Sequence, residues 1–451
     1  MSGRPHRWVN QHAPAQILPK ALRGEGVYLH DADGRQYIDG SGGPALFCLG
    51  HSHPEVLDAM REQLGALEFG YSTTFTTDAI DALSELLVEQ AGGNLTRVSY
   101  ISGGSEANET AMKLALQCQR ARGFKGRTRF IARNQSWHGY TLGTLSLSGH
   151  PARRAPYEQA LLDVIHISAA NAYRPIAGAG EGPEGLAEAL ANEFEQALIA
   201  AGPETVAAFF FEPVVGAAGG AVPAPAGYAR RMREVCDRHG VLMVSDEVMC
   251  GVGRCEAWRA LAVDGVEPDI MTIAKGLGGG YMPIGAAIYS EQVYQDIIAA
   301  DGKVATVHTY SGHTLACAAS LAVQTVIRRD GLVEKCRADG LVLHDMLTDA
   351  FGDSPFVGDI RGRGFFRGIE LVADRATRAP FAPDLGLAAK IAELAFQNGL
   401  ICYPSPGTAD GVRGDHVLLA PPFIASHDHL AEIVDKLKRT VDAVLPAVKA
   451  A

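Results

Sequence analysis

The feature that most limits what this chain can fold into is an alternation of short apolar runs with amphipathic stretches, starting near residue 98 and continuing past 270. Residues 98–101, 128–132, 206–212, 241–245 and 270–273 are short runs rich in β-branched, aromatic and other apolar side chains. Between them, 106–122, 184–201 and 228–238 repeat apolar residues at the three- and four-residue spacing of a helix with one buried face. Strands separated by crossover helices predict an α/β architecture, a mainly parallel sheet with helices on both faces. Residues 172–183, rich in Gly, Ala and Pro and without a period, are expected to form a surface loop.

The flanks read differently. Residues 26–30 and 36–39 look like short strands around the turn Asp31-Ala-Asp-Gly34, followed by a loop rich in glycine and histidine over 40–54. Helical patterns follow at 55–67 and 79–91. Beyond about residue 326 a long helical stretch leads to a strand at 364–371 and a helix at 386–397. Strands at 400–403 and 416–420 and a closing helix from 427 complete an α+β module. A length of 451 residues suits two or three domains.

The 51 acidic and 40 basic side chains give a formal charge of −11, which argues against a general nucleic-acid-binding surface. No run of 18 apolar residues is present, and Met1–Trp8 lacks the apolar stretch of a secretory leader, so the cytoplasm is the expected location. The eight cysteines are scattered without CxxC pairs, which favours reduced thiols over a metal site or a disulfide framework.

Six segments carry chemistry. Lys275 lies in Ala274-Lys-Gly-Leu-Gly-Gly-Gly280, a glycine-rich turn after a strand, where a lysine amine can form a Schiff base with an aldehyde cofactor. Asp246 and Glu247 end one apolar run and Glu212 ends another. Carboxylates in such places are costly unless paired or facing a cavity, and ligands of open α/β sheets bind at the carboxyl ends of the strands. Ser102-Gly-Gly-Ser-Glu-Ala-Asn-Glu109 opens a helix after a strand. It reads either as a helix cap or as a phosphate cradle with Gly104 and Ser105 as donors. Trp137 follows a strand end and either stacks on a flat ring or is an ordinary buried tryptophan. His138 beside it either faces a ligand or is a satisfied loop histidine. Val307-His-Thr-Tyr-Ser-Gly-His313 is a candidate second anion-binding turn with Thr309 as donor. Gly251-Val-Gly-Arg-Cys-Glu256 and Gly276-Leu-Gly-Gly-Gly-Tyr281 start like dinucleotide fingerprints and fail at the last position. Nucleophile-elbow, P-loop and HExxH patterns are absent.

In order along the chain, Leu49-Gly-His-Ser-His-Pro54, Ser102–Asn108, Trp137-His-Gly139, Glu212-Pro-Val-Val-Gly216, Asp246-Glu-Val248, Ala274–Gly280 and His308–His313 resemble the class III pyridoxal-phosphate aminotransferases. The resemblance implies the fold type I of that family, with pyridoxal 5'-phosphate as cofactor. It implies a large cofactor-binding domain over 60–325 with a mainly parallel sheet, and a smaller α+β domain built from 1–59 and 326–451. Lys275 would form the Schiff base and move the proton of the reaction, and Asp246 would pair with the ring nitrogen. Gly104 and Ser105 would hold the phosphate, with Thr309 reaching the neighbouring subunit's phosphate. Trp137 and Val248 would flank the ring, with His138 and Glu212 close by. Arg413 matches the segment where ω-amine transaminases carry a mobile arginine and is a candidate for the keto-acid carboxylate. Phe47 and Tyr71 are candidates for the amine pocket.

The family usually has Tyr or Phe at Trp137, often Gln at Val215, and Gly-Phe-Gly-Arg-Thr-Gly where this chain has 251–256. The implied activity transfers nitrogen from an ω-amino acid, diamine or primary amine to pyruvate or 2-oxoglutarate. The implied assembly is a homodimer, or a dimer of dimers, with shared sites. Rivals are another reaction of the same fold (a decarboxylase, aminomutase or lyase) and a non-catalytic protein that keeps the fold.

Overall fold

The structure, a computed structural model, describes residues 18–449; the Met1–Trp8 segment lies outside them. Its centre is a seven-stranded sheet in the order Leu95–Ile101, Gly285–Ser290, Ile270–Ile273, Leu242–Asp246, Val206–Phe211, Arg129–Arg133, Val164–Ile167. Six of these strands run parallel, and Gly285–Ser290 is antiparallel to both of its neighbours. The strand Val206–Phe211 shows why the sequence reads as unbroken apolar runs: all six of its residues are buried. Phe209 and Phe211 pack with Phe194 and Met232 on one face, while Ala208 and Phe210 pack with Leu114 and Cys118 on the other. Side chains alternate across a strand, so a sheet covered on both faces needs apolar residues at every position.

The helices fall close to where their periodicity places them, at Pro54–Ala66, Asp78–Ala91, Gly104–Ala121, Gly182–Ala201, Tyr228–His239 and Leu387–Gln397. The expected loop over 172–183 is irregular up to Glu181, and its last two residues open a helix with Pro183 in the first turn. Among the described residues, no helix is long and apolar enough to cross a membrane.

Ala21–Glu25, Val214–Val215 and Val222–Pro223 escape the pattern of the sequence, and so do three other strands. Val164–Ile167 is four residues long and carries a histidine, and Gly285–Ser290 opens on Gly-Ala-Ala, residues with little preference for strands. Val357–Arg363 is half polar and pairs with Phe366–Leu371 as a hairpin. The expected strand over 400–403 divides between two sheets. Leu400–Ile401 pairs in parallel with Gln36–Asp39, while Tyr403–Pro406 pairs with Asp415–Leu419. The first and last parts of the chain are thereby joined in one four-stranded sheet.

Candidate active site

The carboxyl ends of five parallel strands open onto one cavity of ≈ 280 Å³. Each strand delivers residues to its wall: Ser102 to Ser105 after the first, Trp137 and His138 after the second, Glu212 after the third, Asp246 and Val248 after the fourth, Lys275 after the fifth. Leu46 and the Met282–Ile284 turn complete the wall.

Lys275 has φ +43°, a left-handed conformation rare for a residue with a Cβ, at the start of the Lys275–Leu277 turn. Its Nζ donates to the carbonyl of Pro44 at 2.9 Å. Burial disfavours the ammonium and brings its pKa down to about 8, although Asp246 and Glu212 pull the other way; Arg153 adds to the lowering. An amine at this pKa is neutral often enough at ordinary pH to act as a nucleophile or a base.

Asp246 is buried and held from three sides. Its Oδ1 accepts the Val248 N–H at 3.0 Å, and its Oδ2 accepts from Asn108 Nδ2 at 2.8 Å and faces His138 Nδ1 at 2.8 Å. The Thr272 hydroxyl donates to Asn108 Oδ1, which leaves the amide nitrogen for Asp246 and for the His138 carbonyl. His138 Nε2 is buried with no partner among the described residues. Glu212 is also buried. One carboxylate oxygen accepts the Trp137 N–H at 3.0 Å and the other the Gly216 N–H at 2.9 Å. Burial, with Asp246 adding to it, holds the Glu212 pKa above the usual carboxylate range, against the opposing effect of His138 and these backbone donors. Glu247 points away from the cavity, where it accepts from Ala260 and Leu261 N–H and the Ser245 hydroxyl.

The helix Gly104–Ala121 aims its N-terminus into the cavity. A Cβ added to Gly104 would lie 2.8 Å from Val248 Cγ1, so glycine is what lets the strand-to-helix turn close on that wall. Ser102 N–H bonds Glu106, a cap, while Gly103 and Gly104 leave backbone donors toward the cavity. The cap therefore leaves room for an anion in the same turn.

Four sequence candidates lie outside the cavity wall. Phe47 is half-buried behind Leu46, its ring tilted against that of His51 with centroids 4.3 Å apart. Tyr71 and Thr309 are exposed on neighbouring loops, where Phe69 packs edge-on against Tyr310. Arg413 is exposed and paired with Asp410 at 2.7 Å. Sequence reasoning missed Asn108, Thr272 and Arg153. Asn108 follows Gly104 by one helical turn and so shares its face, a signal that was there to use. Arg153 gives no such signal, because only the fold brings its guanidinium 4.8 Å from the Trp137 ring centre.

A lysine amine, a buried carboxylate and a helix N-terminus around one cavity make a donor set that fits a pyridine aldehyde carrying a phosphate. The aminotransferase class-III family model matches residues 10–441, and the chain belongs to that family. It is a pyridoxal-phosphate-dependent transaminase that takes an amine donor and a keto-acid acceptor. An uncharacterized aminotransferase of Schizosaccharomyces pombe is 42% identical over 97% of this chain and 95% of its own. A chloroplastic gamma aminobutyrate transaminase of Solanum lycopersicum is 33% identical over 95% of this chain and 81% of its own. Among solved structures, the ω-transaminase of Pseudomonas jessenii in complex with PMP is similar, with a TM-score of 0.90 at 32% identity, covering 98% of this chain and 97% of that one.

Proposed function

We propose that this transaminase takes nitrogen from a primary amine on a terminal carbon, an ω-amino acid, a diamine or a simple amine, and delivers it to pyruvate or 2-oxoglutarate. The observation that carries the reading is the Lys275 amine facing Asp246 and Glu212 in one cavity beside a helix N-terminus. The names of the gamma aminobutyrate and ω-transaminase relatives support the donor class.

Bound pyridoxal phosphate supplies an aldehyde to carry the nitrogen and a ring to accept electrons. Lys275 would hold the cofactor through its amine and would carry a proton at Nζ, a task suited to a pKa near 8. Asp246, fixed by Asn108 and His138, would pair with the ring nitrogen and favour its protonated form. Gly104 and Ser105 would hold the phosphate at the helix N-terminus, and Trp137 and Val248 would bound the ring. His138 acts through Asp246, and Glu212 fixes the Trp137 backbone.

The exposed Tyr71, Phe75, Val307 and Tyr310, on adjoining loops, support a homodimer in which Thr309 reaches the partner's cofactor phosphate. Residues 60–325 form the cofactor domain, with 1–59 and 326–451 as the small domain, a division supported by the Gln36–Asp39 pairing with Leu400–Ile401. The cytoplasm is the proposed location. Single-turnover spectroscopy tests the function: an ω-amine added alone should shift the cofactor's visible band to the pyridoxamine form, and pyruvate or 2-oxoglutarate should restore it. No shift with any amine donor refutes the donor class.

A further inference from the structure

We propose that Arg153 is the fixed binding group for the α-carboxylate of the keto-acid acceptor, an assignment that rests on the transamination reading above. Arg153 stands in the short helix Pro151–Arg154, and its guanidinium carbon lies 4.8 Å from the centre of the Trp137 ring, which lines the lysine cavity. One nitrogen anchors it: Nη2 donates to the Ala217 carbonyl at 3.1 Å and, at a longer 3.4 Å, to the Ser405 hydroxyl. Nε and Nη1 have no acceptor among the described residues, and no carboxylate lies within ion-pair distance. Two buried arginines spend their forks differently, while Arg133, also anchored through one nitrogen to the Glu212 carbonyl, is closed in by the Phe211 and Tyr228 rings. Arg361 is paired with Asp359 and Glu370, and Arg254 donates to the Pro421 carbonyl over the Phe423 ring.

A planar fork held at one corner and stacked on an aromatic face is pre-organised to take a carboxylate through its two remaining N–H directions. The charge balance of the site points the same way. The groups whose field reaches the Lys275 amine are the carboxylates of Asp246 and Glu212 and one further cation, Arg153. An acceptor carboxylate brought beside two buried anions needs a cation, and Lys275 is committed to the chemistry. Arg413, the arginine that the sequence suggested, is tied to Asp410 by its Nε at 2.7 Å and by its backbone N–H, in a turn open to solvent. It must break an ion pair before it can bind, whereas Arg153 has nothing to break.

The test compares wild type, Arg153→Met, Arg153→Lys and Arg413→Ala as holoenzymes with one carboxylate-free amine donor and two acceptors, pyruvate and propanal. The methionine keeps the apolar contact with Trp137 and removes the charge. The quantity read is the ratio of kcat/KM for pyruvate to that for propanal. Arg153→Met should lower it at least about tenfold, mostly through KM for pyruvate, with partial recovery in Arg153→Lys. Inhibition by propionate should weaken in step, and Arg413→Ala should change the ratio by less than about threefold. An unchanged ratio in Arg153→Met, an equal loss with both acceptors, or the main drop in Arg413→Ala overturns the proposal. A wild-type holoenzyme whose visible band no amine converts removes the transamination reading itself.

Discussion

The Lys275 amine offers the sharpest test of the electrostatics. Its pKa is brought from 10.5 to about 8 because the cavity denies the ammonium its hydration. At pH 7.5 a lysine in water is neutral about one time in a thousand, while a group with a pKa near 8 is neutral about one time in four, roughly a 200-fold difference. Because only the neutral amine attacks an aldehyde, cofactor capture by the apoenzyme should follow that fraction. The rate of appearance of the visible band, recorded from pH 6.5 to 10.5, should rise about tenfold per pH unit up to the midpoint and level off near pH 9. Arg153→Met should move the midpoint upward, since the guanidinium disfavours the ammonium. A rate that climbs without a plateau to pH 10, as for a solvated lysine, would refute the argument that burial sets this pKa.

Asn108→Ala removes a hydrogen bond to a buried carboxylate and strands the Thr272 hydroxyl and the His138 carbonyl, so it should cost on the order of 3 kcal/mol, read in holoenzyme melting and in faster cofactor loss. Burial raises the Glu247 pKa from 4.5 to about 7. The folded state therefore keeps a proton that the unfolded state has lost between those values, and stability falls as pH rises through the window, by on the order of 3 kcal/mol. The stability of wild type relative to Glu247→Gln should then decline from pH 5 to pH 8; a difference that stays flat with pH contradicts the burial argument. Glu256 sits at φ +74° and accepts the Gly364 N–H. Glu256→Gly relieves the backbone while losing that bond and should melt within about 2 °C of wild type, whereas Glu256→Ala keeps the strain, loses the bond and should melt lower.

Much of the large sheet could be read from the sequence because burial on two faces writes a strong signal: Val206–Phe211 has no polar residue to blur it. The acidic strand ends were informative for the same reason, since Asp246 and Glu212 break apolar runs at the edge that faces the cavity. What stayed hidden depends on contacts between distant segments. Nothing in Pro44 announces that its carbonyl will receive the Lys275 amine, and Arg153 looks like any basic residue until the fold sets it on Trp137. Within 251–256, the glutamate that stands where the family pattern has glycine gains a physical account. Arg254 and the Glu256 backbone carbonyl, which accepts from Arg337, tie this loop to distant parts of the chain. A glutamate in a glycine-favouring conformation is offset there by what its side chain and carbonyl bind.

The antiparallel strand Gly285–Ser290 sets the order in which the molecule can be assembled. Leu95–Ile101 pairs with it and with no other strand of the seven, across about two hundred residues of intervening chain. As the polypeptide leaves the ribosome, its first sheet strand must wait, unpaired, until the last one emerges, and at typical synthesis speeds that interval is on the order of 10 s or more. The glycine turn that follows Ile101 is put in place only when that late strand docks. The cofactor site is thus a product of the final closure, and newly made chains can be expected to bind cofactor after synthesis of this region rather than during it.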